Sequence, residues 1–261
     1  MEDQKLDLKI ADKKIEVVPW RPVLGVLFVI SIYYFSQIFG GIVVSIYPWA
    51  KHWSNDRASS WLNSSTYAQF IYVVLAEAFT IGAIYLFLKN YHKTFGLIGL
   101  IKPRLKDVGY GLLAVPLYYL LYILTVGIVS YFVPSLNINQ HQEVGFSNVH
   151  GIIQLSLTFM SLVILPPLAE EIMVRGFLYS SLRKGLPQLA AVIMTSLIFA
   201  SAHLPEGGSS GPLYIAALDT FVLSLVLIYL RQRTGGLWAG ITLHGFKNAV
   251  AFLSIFVLSV H

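Results

Sequence analysis

VLGVLFVISIYYFSQIFGGIVVSIY, residues Val23–Tyr47, runs for 25 residues without an Asp, Glu, Lys, Arg or His. A helix needs about 20 apolar residues to cross the hydrocarbon of a bilayer. Inside lipid every backbone N–H and C=O must find a partner within its own segment, which a helix provides and an open strand does not. The stretch therefore reads as a transmembrane helix. Six more apolar stretches follow, roughly at Ala68–Leu88, Val108–Val133, Gly151–Leu182, Leu189–His203, Leu213–Leu230 and Leu237–Val260. The expected fold is all-α, a polytopic membrane helix bundle of about seven transmembrane helices. No internal repeat is visible and the connections are short. Residues 23–261 read as a single transmembrane domain, preceded by an arm at 1–22.

The composition agrees. Of 261 residues, 56% are hydrophobic and only 12% charged, and the mean hydropathy is +0.68; a soluble domain is about 25% charged. The absence of cysteine excludes disulfides, a thiol nucleophile, thiolate metal sites and palmitoylation. The net charge of +5 is no nucleic-acid signal, because the basic residues sit in loops between apolar runs. The N-terminus, MEDQKLDLKIADKKIEVVPW, is too mixed in charge for a signal peptide and reads as a cytoplasmic arm.

Basic residues also set the orientation. Fourteen of the 18 fall in the arm (Lys5, Lys9, Lys13, Lys14, Arg21) and in the loops after spans 2, 4 and 6; the opposite side has Lys51 and Arg57. That bias over alternate loops places the N-terminus in the cytoplasm and the C-terminus outside.

An ionisable residue within a span is a functional candidate by default. Here these are Glu77, Glu170, Glu171, Arg175, His203, Asp219, His244 and Lys247. Three groups show helical spacing. In PPLAEEIMVRG, Pro166–Gly176, Glu171 and Arg175 stand four apart with the acid first, the better order for an ion pair. Glu170 is turned about 100° away, and its own i+4 position is Val174. A carboxylate in an apolar wall without a fixed cation suits a general base. The bland alternative is a salt-bridge cluster bracing helices. In FASAH, an aromatic, Phe199, and an imidazole, His203, share a face. In HGFKN, His244 and Asn248 share a face, and two donors aimed at one point can form an oxyanion hole; an interhelical polar contact is the alternative.

Together the three groups resemble the CPBP family, which comprises CAAX-type prenyl proteases and bacterial relatives linked to bacteriocin processing or self-immunity. The resemblance covers roughly Gly151–Val250, and the lead-in RTGGLWAGITLH is also similar to the family's approach to its last motif. It implies an intramembrane endopeptidase with its site among spans 4, 5 and 7. Glu170 would activate a water that His203 helps to hold. His244 and Asn248 would stabilise the oxyanion, and Glu171, Arg175 and Phe199 would support the site. Glu170, His203 and His244 are also the ligands of a zinc alternative. No HExxH motif is present, and a metal-free glutamate mechanism is favoured.

The expected partners are the bilayer and a peptide or prenylated peptide, with no nucleic acid. The expected setting is a bacterial cytoplasmic membrane, with bacteriocin or pheromone processing or self-immunity as the role. The rivals are a non-catalytic peptide-binding immunity protein and a small transporter using Glu77, Asp219 and Lys247. Depth poses a structural condition. At 1.5 Å per residue, Glu170 and His244 sit about 10–20 Å from the cytoplasmic edge and His203 roughly 27 Å. Convergence requires span 5 to begin below the membrane surface, or span 4 to be kinked at Pro166-Pro167.

Overall fold

The computed structural model describes residues 17–258, apart from 141, 143, 206 and 208–210. Most of the expected arm, and the end of the last apolar stretch at Val260, lie outside the described residues. Those described form helices and connecting loops with no strand. We number the helices α1 (Pro22–Ala50), α2 (Asn55–Ser64), α3 (Thr66–Asn90), α4 (Leu105–Phe132), α5 (Gly151–Gly185), α6 (Gln188–Ala202), α7 (Tyr214–Thr234) and α8 (Trp238–Val257).

Six of these are long and apolar enough to cross a membrane; α6, with 15 residues, is shorter. At 1.5 Å per residue it spans about 22 Å, against roughly 30 Å of hydrocarbon. The chain is an integral membrane bundle, with α6 as its short member. Helix α2 has no counterpart in the apolar pattern. It is mostly polar and starts where the Ser54 side chain accepts from the Arg57 N–H. Beside it the rings of Tyr47, Trp53 and Trp61 pack at 5.2–5.7 Å, the kind of aromatic group that settles at a membrane–water interface.

Helices in lipid gain little from apolar burial against one another, so close packing over small residues holds them together. Helix α4 lies against α8 where Gly111 faces the Ala239 carbonyl; a Cβ on Gly111 would come within 2.6 Å of it. Helix α1 packs on α3, and α6 on α7. An aromatic cluster then fixes α5 to the first helices. Trp20 stacks on Phe177 at 4.9 Å, and its indole N–H donates to Ser181 Oγ at 2.7 Å. Phe87 meets Phe177 edge-on at 4.9 Å.

Helix α5 departs from regular geometry around its prolines. It widens to a π-helix at Met160–Ile164, returns to α at Leu165–Glu170, and widens again at Glu171–Leu178. Proline has no N–H to continue the ladder, and π turns accommodate such interruptions. Where a kink at Pro166-Pro167 is expected, the structure shows changes of helical pitch on either side of the prolines. The hairpin also removes the depth mismatch. Helix α5 ends at Gly185 and α6 begins at Gln188, so Glu170 and His203 lie equally far in residues from the turn between them.

Candidate active site

The two glutamates occupy different surroundings. Glu171 begins the second π stretch of α5, all eight residues of which are buried. Its side chain is 1% exposed and accepts from Arg175 Nη1 at 2.9 Å. The guanidinium in turn lies 4.1 Å from the centroid of the Phe199 ring of α6. An isolated charge here would cost several kcal/mol; pairing and the cation–π contact offset it. Helix α8 closes the other side through Gly240, where a Cβ would lie 2.7 Å from Glu171 Oε2.

Glu170 faces a cavity of about 620 Å³, and its side chain is 25% exposed. One of its carboxylate oxygens, Oε2, is buried with no hydrogen-bond partner. That oxygen lies 3.7 Å from His244 Nε2, beyond direct hydrogen bonding. His244 stands between the two acids, with its Nδ1 3.4 Å from Glu171 Oε1. Glu171 thus reaches the cavity only through the imidazole it orients, in the way an outer carboxylate orients a functional histidine.

His203 caps α6 at the same cavity. Its Nδ1 lies 2.9 Å from the Phe199 carbonyl. A carbonyl only accepts, so Nδ1 carries a proton. The Phe199 ring meets the His203 ring edge-on at 4.8 Å. Asn248 also lines the cavity, and its Nδ2 donates to the Leu162 carbonyl at 2.9 Å.

The structure thus brings Glu170, Glu171, Arg175, Phe199, His203 and His244 into one connected arrangement, with Asn248 on the same cavity wall. The other intramembrane charges fall around it. Lys247 pairs with Asp219 at 2.9 Å, and the Tyr118 hydroxyl of α4 donates to the same carboxylate. Glu77 lines the same cavity from α3. Among the described residues no three His, Asp or Glu side chains are grouped to hold one metal ion.

Sequence reasoning passed over Gly240, Gly245 and Tyr118. A signal existed for the first: Gly240 and His244 are four apart, on the face that meets Glu171. Tyr118 carried none, because α4 has aromatic residues on several faces.

Residues 152–250 match a family model, Rce1-like, described as type II CAAX prenyl endopeptidase Rce1-like. The match runs from the start of α5 into α8, holds every residue of the three motifs, and covers less than half of the chain. This segment is similar to the CAAX-protease type of domain that the motifs resemble. No curated protein and no solved structure matches the chain.

Proposed function

We propose that the protein is an intramembrane endopeptidase that hydrolyses a membrane-associated peptide with a water activated by Glu170. The observation that carries this reading is the Glu170 carboxylate: one oxygen lacks a hydrogen-bond partner and lies 3.7 Å from His244 Nε2, in the cavity that His203 also lines. Glu170 takes a proton from water as the oxygen attacks the peptide carbonyl carbon. His203 Nε2 accepts the water's other hydrogen and orients it. His244 acts as an imidazolium, donating Nδ1–H to Glu171 and offering Nε2–H to the oxyanion. Glu170 then returns the proton to the leaving nitrogen as the C–N bond breaks, which balances the reaction. General-base help of this kind contributes about 10²–10⁴-fold. No step calls for a metal.

The substrate we propose is a peptide precursor or prenylated peptide presented from the bilayer, with bacteriocin or pheromone processing or self-immunity in a bacterial cytoplasmic membrane as the setting. The loop charges support a cytoplasmic N-terminus. The test uses purified protein in detergent with two probes, a single-span peptide and a farnesyl-cysteine peptide, and mass spectrometry to read new termini. Wild type is expected to cut at least one, Glu170→Ala neither, and a chelator is expected to leave the rate unchanged. Full activity in Glu170→Ala contradicts the mechanism. A cellular phenotype that persists without cleavage favours a non-catalytic binding protein.

A further inference from the structure

In a regular helix the carbonyl of residue i accepts from the N–H of residue i+4, and in a π turn from that of i+5. For Leu162 those donors fall at residues 166 and 167, and both are proline, which has no N–H. The Leu162 carbonyl therefore has no helical backbone donor in either pattern. Asn248 supplies one across the helix interface, its Nδ2 donating at 2.9 Å. Side chains of neighbouring helices commonly satisfy backbone groups freed by proline in a membrane.

One residue on, the Val163 carbonyl loses its i+4 donor to Pro167 in the same way. Helix α8 approaches there through Gly245, where a Cβ would lie 3.3 Å from that oxygen. Helix α8 is thus seated on the proline break at two successive carbonyls. His244 is the neighbour of Gly245 and one helical turn from Asn248. The seat therefore governs where its ring meets the two glutamates, with Nδ1 3.4 Å from Glu171 and Nε2 3.7 Å from Glu170.

We infer that Asn248 is a positioning residue: it caps the Leu162 carbonyl freed by Pro166-Pro167 and so sets the register of His244. The kinetic half of this inference rests on the endopeptidase reading; the structural half rests on the hydrogen bond alone.

The test returns a backbone donor to Leu162. Wild type, Asn248→Ala, Pro166→Ala, Pro167→Ala and the two Asn248→Ala/proline double variants are compared in detergent. Melting temperature is read alongside cleavage of whichever peptide the wild type cuts. Asn248→Ala is expected to melt lower and to lose about tenfold or more in kcat, with KM within about twofold of wild type. One of the double variants, with its N–H restored, recovers the melting temperature of its proline variant alone and a kcat within about threefold of it.

A residue that serves only as an oxyanion donor, with no capping role, gives the opposite pattern. Melting temperature stays at the wild-type value, kcat falls, and neither double variant recovers it; that result overturns the inference. If the wild type cuts no peptide, the endopeptidase reading fails and melting temperature alone decides: recovery supports the cap, and no recovery overturns it. If Asn248→Ala does not fold, restored folding in a double variant is the supporting outcome, and continued misfolding in both is the overturning one.

Discussion

Glu170 and Glu171 are adjacent in sequence and opposite in circumstance. Glu171 is closed in on every side by the Arg175 guanidinium, the His244 ring and the backbone of α8 at Gly240. Glu170 opens on the cavity with one oxygen unpartnered. One peptide unit thus separates a carboxylate whose charge is neutralised locally from one whose charge is left available. The difference comes from rotation along the helix. Successive residues point about 100° apart, so one acid faces the α6 and α8 contacts and the other faces the space between helices. A membrane site gains from such a division. In the proposed mechanism the closed acid holds the histidine without being consumed in chemistry, and the open acid acts on substrate without having to hold structure.

Several substitutions break or sharpen this contrast. Glu171→Ala leaves Arg175 fully buried and uncompensated, a loss of about 3–5 kcal/mol; a large fall in melting temperature checks it, and Glu171→Ala/Arg175→Met is expected to recover part of that fall. His203→Ala acts on the open side. It is expected to lower kcat about a hundredfold with little change in melting temperature, read by steady-state cleavage. Gly240→Ala forces a methyl against Glu171 Oε2 and is expected to cost about 1–3 kcal/mol, lowering stability and cleavage together. Gly41→Ala, at a site with open space around it, is the control that should change neither. Lys247→Met removes the partner of Asp219, which keeps its Tyr118 hydrogen bond. The pair is partly exposed to the cavity, so the loss is expected to be about 1 kcal/mol or less.

Much of this arrangement can be read in the sequence. Val23–Tyr47 and the other long apolar runs announce their helices, since no other structure satisfies the backbone in lipid. The i, i+4 spacing of Glu171 and Arg175 announces their pair and leaves Glu170 apart. The length of α6 follows from its apolar run, which ends at His203. The rest depends on which helix lies beside which. Nothing local to Asn248 says that it faces a carbonyl freed by prolines more than eighty residues earlier. Gly240 looks like any glycine of a membrane helix until Glu171 is placed against it. Glu77 joins the cavity only because α3 packs against α5, a neighbour relation that no spacing within α3 encodes. Helix α2 escapes notice because it is short and polar, and its start depends on a single serine cap.

The division of roles between the two acids is tested most directly by Glu170→Gln and Glu171→Gln, each read for melting temperature and peptide cleavage in the same detergent preparation. The account predicts that Glu170→Gln melts with the wild type and loses cleavage about a thousandfold, while Glu171→Gln melts lower and keeps measurable cleavage. Wild-type cleavage by Glu170→Gln would contradict it.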